Sequence, residues 1–419
     1  MSFPALTERR WLRLVSLAAL YSAQGLPFGL FSVAIPTWMA ASGYPASDIG
    51  TFIGVTSLPW SLKILAAPMM DRFGYPAMGQ RRPWVLGAQI CLLLAFSGFF
   101  LVPEELALMA ALGCFANTCA AAQDVAVDGM AIGVLPENER ATANGFMFGG
   151  QYFGISLGVS GGGYVLNSEG LAGIGLVGVG MMSLVLLLPL LVRERPGEKL
   201  LPWGKGKSAV AEPPPGGGFV RLLGNLLRQL LVPVSLLLIG VQLVYRMADG
   251  ALYALLPVHA VQSLGWADTA FNDWYTIGSI TGALLGAALA PLVDRIGTGR
   301  AFWAIGGLKL VLLAMGMLVV DAQGGMVRAY LVAHLVSSQL LAICVVATMM
   351  RICTGPVLAT QFAAYMGISN LAHSAGAFWY ASMVGHVSSS HMLGLFAVCM
   401  ALAFPFWHRA FSSHLKAAA

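Results

Sequence analysis

The feature that most constrains this chain is a recurring run of about 20 or more mainly apolar residues, the length that crosses a bilayer as a helix. LAGIGLVGVGMMSLVLLLPLL (171–191) is a clear example. In hydrocarbon every backbone N–H and C=O must be satisfied internally, so such runs fold as spanning helices. Twelve are counted, at roughly 11–41, 49–70, 83–102, 106–135, 143–165, 171–192, 230–260, 272–293, 301–320, 327–350, 358–386 and 391–411. Of the 419 residues, 58% are hydrophobic and 10% charged. A soluble domain carries ~25% charged residues to cover its surface. The expected fold class is therefore all-α integral membrane, with twelve transmembrane helices. The first run is too long for a secretory leader and no small-residue cleavage site ends it, so it is expected to be the first span.

An even number of spans puts both termini on one side. Placing them in the cytoplasm puts every Lys and Arg except Lys63, Arg246, Lys309 and Arg328 in a terminus or a cytoplasmic connection, as the positive-inside rule requires. The net charge of +5 thus marks sidedness. No basic, aromatic-interleaved soluble module accompanies it, so no nucleic-acid partner is expected. The six cysteines all fall in apolar runs without metal-ligand spacing. They read as small buried hydrophobes, and no metal or cofactor is expected. The longest polar stretch, 193–229, contains EPPPGGG (212–218) and cannot bury a core. It reads as a cytoplasmic linker between a six-helix bundle at 1–192 and a second at 230–419.

The two halves echo each other. APMMDRFG (67–74) recurs as APLVDRIG (290–297), each after the second span of its half. Tyr21 in the first span pairs in the same way with Tyr245 in the seventh. The chain reads as a duplicated six-helix unit, so the two bundles should be pseudo-symmetric.

Ionisable residues inside a membrane are costly and mark function by default. Asp124 and Asp128 in QDVAVD (123–128) are four apart and share one helical face. Two such carboxylates do not both ionise cheaply in a low dielectric, which suits a group that loads and releases a proton. The alternative is structural pairing with Lys63 or Arg246. Arg246 and Asp249, three apart, can pair along their own helix. His334 and His373 bring imidazoles that titrate near neutral pH, or serve as packing residues. Gln24, Gln123 and Gln151 add uncharged donors and acceptors. Lys309 stands alone in the sequence and reads as structural or snorkelling. GGQYFGISLGVSGGG (149–163) should let backbones approach closely, and Pro27, Pro36, Pro59, Pro233 and Pro257 should kink their helices.

There is no phosphate-cradling GxxxxGK[ST] loop, which argues against energy from ATP. No nucleophile with a base and an orienting partner can be assembled, so no catalytic residue is assigned. A membrane enzyme or a non-transporting receptor remains as the alternative class.

Six spans plus six, with parallel repeats and a central linker, resembles the major facilitator superfamily across the whole chain. Several motifs narrow the resemblance to its AmpG-type branch of muropeptide permeases and acetyl-CoA transporter relatives. They are SLKILAAPMMDR (61–72), GQRRPW (79–84), QDVAVD (123–128), VYRMADG (244–250) and ATQFA (359–363). The sequence departs from that branch at Met130–Gly133, where a Trp-Lys-x-Asp stretch is usual, and in span ten, where His334 replaces an acid. The resemblance implies a proton-coupled permease of the bacterial inner membrane, a monomer that imports a bulky polar solute such as an anhydro-muramyl peptide. A siderophore permease is the alternative within the same branch. It further implies proton coupling at Asp124 and Asp128. Solute contacts are implied at Gln24, Gln123, Gln151, Arg246, Asp249, His334 and His373. Gating is implied at Lys63, Asp71, Arg72, Arg81, Arg82, Asp294 and Arg295, the alternative being ordinary charged turns. The partners implied are a small-molecule solute, protons and the lipid bilayer.

Overall fold

A computed structural model describes residues 4–66, 69–70, 73, 75–101, 104–136, 139–204, 219–320, 325–353 and 358–417. Among them the backbone is helical apart from turns and one isolated bridge, Ala5 to Arg193. Twelve helical segments follow the expected spans in order. They are α1 (Arg10–Ala41), α2 (Ala46–Ser57), α3 (Arg82–Gly98), α4 (Leu106–Val134), α5 (140–169) and α6 (Leu171–Leu191). After the connector come α7 (Pro233–Ser263), α8 (Asp268–Ile296), α9 (Thr298–Val319), α10 (Gly325–Ile352), α11 (Leu358–Met383) and α12 (Ser389–Ala417). Among the described residues seven helices, α1, α4, α6, α7, α9, α10 and α12, are long and apolar enough to cross a membrane unaided. α8 and α11 are long enough but carry Asn272, Ser279, Asn370 and His373 mid-helix, which lowers their hydropathy. An amphipathic helix, Phe219–Leu230, precedes α7.

The described residues form two compact units. One holds Met1–Ile35 with Leu62–Gly216, the other Pro36–Ser61 with Gly217–Ala419. In the first, α1 packs on α5 and α4, and α3 packs on α4 and α6. In the second, α7 packs on α11 and α12, and α9 packs on α10 and α12. These neighbours repeat with a shift of six: α1–α5 becomes α7–α11, α3–α4 becomes α9–α10, and α3–α6 becomes α9–α12. The end of α1 and all of α2 pack within the second unit. Thr37 donates to the Asn272 side chain at 2.9 Å, and Gly50 and Gly54 on α2 lie against Ala377 and Phe378 of α11.

Glycine sets the closest packing in both units. A β-carbon at Gly154 of α5 would collide with the Ser22 carbonyl of α1, and one at Gly250 of α7 with the His373 carbonyl of α11. Only glycine lets the two backbones meet there. The proline kinks are local and parallel. Pro27 precedes a π-helical turn at Leu30–Ala34, and Pro257 precedes one at His259–Ser263. Proline has no N–H to give the preceding turn, so the helix loosens beside it. Pro59 breaks α2 the same way, and the chain continues as Pro59–Leu62 and then a tight turn, Lys63–Leu65. The outward faces are greasy: Leu94, Leu184, Leu318 and Leu402 are 61%, 69%, 84% and 66% exposed. Apolar surface of this extent is a liability in water and the required face in lipid.

Candidate functional site

In the first unit the polar side chains gather around α4. The break after α2 delivers Lys63, whose Nζ lies 3.0 Å from Asp124 Oδ2. One turn on, Asp128 accepts a hydrogen bond from the Tyr21 hydroxyl of α1. Asp124 is buried at 6% exposure, whereas Asp128 is accessible. The i,i+4 carboxylates thus share one helix face as expected but have different partners, a cation for Asp124 and a neutral phenol for Asp128. Behind them Gln89 donates to Gln123 Oε1 at 2.8 Å, and Gln123 donates to the Leu20 carbonyl at 2.9 Å. That chain of amides ties α3, α4 and α1 together through Gln123. Gln24 is fully buried with neither amide atom bonded. Gln151 is half-buried, on the glycine-rich face of α5.

In the second unit a longer network crosses three helices. Arg246 Nη1 on α7 lies 2.7 Å from Asp249 Oδ2. Ser338 Oγ on α10 donates to Asp249 Oδ1 at 3.3 Å. Lys309 Nζ on α9 donates to Ser338 Oγ, to the His334 carbonyl at 3.2 Å, and lies 3.0 Å from His334 Nδ1. Tyr245, the repeat partner of Tyr21, donates to the Ser338 carbonyl at 3.0 Å. Lys309 is 2% exposed and His334 1%. The sequence reading of Lys309 as standing alone, or snorkelling to the surface, is therefore corrected. It is the centre of a network, because α10 brings it His334 and Ser338 and, through Ser338, α7 brings it Asp249. His373 on α11 is buried, edge-on to the Tyr253 ring at 5.0 Å, with neither ring nitrogen bonded.

The gating candidates separate into different environments. Arg82 is 1% exposed and its guanidinium binds four carbonyl oxygens, of Pro189 at 2.7 Å, Met78 at 3.3 Å, Lys199 at 2.9 Å and Leu200 at 2.6 Å. Its position sews the start of α3 to the end of α6. Beside it Glu194 accepts the backbone N–H groups of Gln80 at 3.2 Å and Arg81 at 2.8 Å, capping α3 with a carboxylate. The Arg81 side chain runs along α4 at Gly129, where a β-carbon would meet its Nε. Glu198 accepts the Arg195 N–H at 3.1 Å, and burial pushes its carboxyl above the usual range, with Glu194 adding to the rise. Arg13 on α1 pairs with Glu139 at 2.7 Å and donates to the Leu6 carbonyl at 2.9 Å. Lys63, placed with the gating set from sequence, lies in the Asp124 ion pair. Arg295 is exposed in the last turn of α8. Asp71, Arg72 and the Asp294 side chain lie outside the described residues.

Sequence reasoning missed Gln89, Glu139, Glu194, Glu198 and Ser338. None belongs to a local motif, and each bonds to a residue of another helix or within a connecting loop. Tyr21 and Tyr245 had one usable signal, their matching place in the repeat.

Two repeated bundles of helices, lipid-facing outside and holding charged networks inside, define a polytopic membrane carrier. Residues 17–385 match the Major Facilitator Superfamily, and the chain belongs to that family of membrane transporters. Its relatives include the anhydromuropeptide permease of Escherichia coli, 38% identical over 120 residues, which is 28% of this chain and 24% of that protein. Putative transporter AmpG 3 of Rickettsia prowazekii is 32% identical over 92 residues, 21% of this chain and 22% of the relative. The chain thus spans about a quarter of the length of these curated relatives, and the AmpG-type likeness is real at modest identity. Two solved structures share the fold. A mutant of the nucleoside transporter NupG superposes with a TM-score of 0.73 at 11% identity, covering 95% of this chain and 99% of that one. A bacterial homologue of the human lysosomal transporter Spinster, inward-facing and unoccupied, gives 0.71 at 13% identity and covers 98% of each chain.

Proposed function

We propose that this transporter is a proton-coupled permease of a bacterial inner membrane that imports an anhydro-muramyl peptide. The observation that carries proton coupling is a charge imbalance on α4. Two carboxylates, Asp124 and Asp128, stand against one lysine, Lys63, and that lysine is bonded to Asp124. Asp128 has only the Tyr21 hydroxyl as its bonded partner among the described residues. A carboxylate at membrane depth that must share its one nearby cation with a second, directly bonded carboxylate is most cheaply neutralised by a proton. Asp128 is also the accessible member of the pair, so it can exchange that proton. Asp124, fixed by Lys63, is the positioning partner whose charge sets the affinity of Asp128. The solute assignment rests on the likeness to the anhydromuropeptide permease. The basic connections support a reading with both termini in the cytoplasm, and a single chain is proposed as the working unit.

The test is uptake of labelled anhydro-muramyl peptide into proteoliposomes under an imposed proton gradient. Accumulation that an ionophore abolishes, and that Asp128→Asn removes while the folded protein persists, is the expected result. Uptake indifferent to the gradient, or unchanged in Asp128→Asn, would refute the coupling. No uptake of this solute by folded protein would refute the substrate.

A further inference from the structure

The second unit contains a surplus of cations that the α4 reading leaves unused. Arg246 and Lys309 face one described carboxylate, Asp249. In the observed arrangement Arg246 takes Asp249 directly, and Lys309 reaches it only through the Ser338 hydroxyl. Arg246 is always charged; lysine in a dry site need not be. With Lys309 protonated the cluster carries one unmatched positive charge, and with Lys309 neutral it carries none. An imidazolium at His334, 3.0 Å from the Lys309 nitrogen, would only add to the surplus.

Several buried polar atoms beside this cluster have no hydrogen-bond partner among the described residues. Arg246 Nε has no partner among the described residues while Nη1 holds Asp249. One helical turn before it, Gln242 is 2% exposed with both amide atoms unbonded. His373, within electrostatic reach of Arg246 and Asp249, has both ring nitrogens unbonded in a buried position. Buried polar groups without protein partners are rare in native proteins, and several gathered beside one arginine are groups able to receive a polar ligand. Other described ionisable groups also stand on the helices packed against α9. On α10, Arg328 lies over the Trp266 and Trp274 rings, the Tyr330 ring is 6.1 Å from that of His334, and Cys344 is buried. On α8, Asp268 and Asp273 stand in the first two turns and Arg295 in the last, and Tyr275 bonds Tyr253. On α12, His391 bonds Ser388 near the helix start and Cys399 is half-buried.

We propose that the second unit binds a carboxylate of the transported solute at the free edge of Arg246, and that Lys309 takes up a proton as it binds. The exchange balances in charge. Empty, Arg246 serves Asp249. When a solute carboxylate engages Arg246, two anions share the site, and the protonated Lys309 becomes the counter-charge of Asp249 through Ser338. The proton comes from solvent and forms the third N–H bond of the Lys309 ammonium; no other bond is made or broken. The transported class is thus an anion that enters with its own proton, separate from the one on α4.

The experiment is ligand binding to purified protein in weakly buffered lipid nanodiscs, with a pH-sensitive dye reporting proton uptake. Two probe pairs are used, an anhydro-muramyl tripeptide and a free tripeptide, each beside its form with all carboxylates converted to carboxamides. The carboxylate form is expected to bind at least about tenfold more tightly than the carboxamide and to draw in about one proton per ligand near neutral pH. Lys309→Gln should lose both the preference and the proton. Lys309→Arg, which cannot release its charge, should keep the preference and lose the proton, a split that a merely structural lysine would not give. If only the free peptide behaves this way, the muropeptide reading falls and the carboxylate site stands. Equal binding of acid and amide, binding without proton uptake in the wild type, a proton lost in Asp128→Asn but kept in Lys309→Gln, or no binding of either carboxylate overturns it.

Discussion

Asp124 and Asp128 look interchangeable in QDVAVD, yet the structure predicts opposite consequences for removing their charges. Asp124→Asn strands the Lys63 ammonium that now lies 3.0 Å away. Breaking a buried ion pair by deleting one partner costs about 3–5 kcal/mol. Lys63 is 15% exposed, and Asp128 one turn away is a substitute anion, so the expected loss is nearer 2 kcal/mol. Asp128→Asn strands nothing. The amide oxygen still accepts the Tyr21 hydroxyl, and weakening that bond costs about 1 kcal/mol. Relief of repulsion from Asp124 offsets much of this, leaving a net change within about 1 kcal/mol. The measurement is thermal unfolding in detergent of the wild type, both single variants and the pair Lys63→Met with Asp124→Leu. Each kcal/mol moves the midpoint by ~2–4 °C in a unit of about 200 residues. A fall of about 4–8 °C for Asp124→Asn is therefore expected, with little change for Asp128→Asn. The apolar double variant should recover much of the loss, because it removes both charges together. An Asp128→Asn variant as damaged as Asp124→Asn would refute this division of roles, as would a double variant no better than the single.

Two further perturbations test the clasp between α3 and the end of α6. Arg82→Lys keeps the charge but replaces a planar fork by one point donor, so it cannot serve the carbonyls of Pro189, Lys199 and Leu200 together; a stability loss of about 2–4 kcal/mol is expected, read by the same melt, and a wild-type midpoint would show that the four bonds are not held in solution. Glu198→Gln should change the pH dependence of stability. Because burial raises the folded Glu198 carboxyl above its unfolded value, the native state holds the proton more tightly, and its contribution is complete below the unfolded pKa and lost as pH rises through the folded one. Melts from pH 4 to pH 8 should therefore show the variant gaining on the wild type toward the alkaline end, and a gain confined to the acid end would contradict the sign.

Much of the architecture was legible in the chain because a bilayer leaves so few options. Runs long enough to cross it had to be helices, and the duplicated Asp-Arg loops exposed a six-helix repeat whose helix neighbours recur with a shift of six. Pro27 and Pro257 marked two bends, and the glycines at 149–163 marked the close approach of α5 to α1. Asp124, Asp128, Arg246 and Asp249 stood out because charge at membrane depth is costly wherever it occurs. Those inferences need only local sequence and the nature of the solvent.

Partners are another matter. By sequence Lys63 stood either in a gating motif or, with Arg246, as a candidate partner of the α4 carboxylates; geometry gives it to Asp124, since a proline break after α2 swings it there. Lys309 has no charged neighbour along α9, yet α10 and α7 bring it His334, Ser338 and Asp249. Arg82 spends its charge on main-chain carbonyls 107 to 118 residues away. Sequence by itself determined which side chains would have to find a counter-charge, because the membrane withholds water from all of them. Only the tertiary structure decided which partner each one found, because that depends on helix–helix register, and register is set by glycine contacts and helix breaks spread over the whole chain.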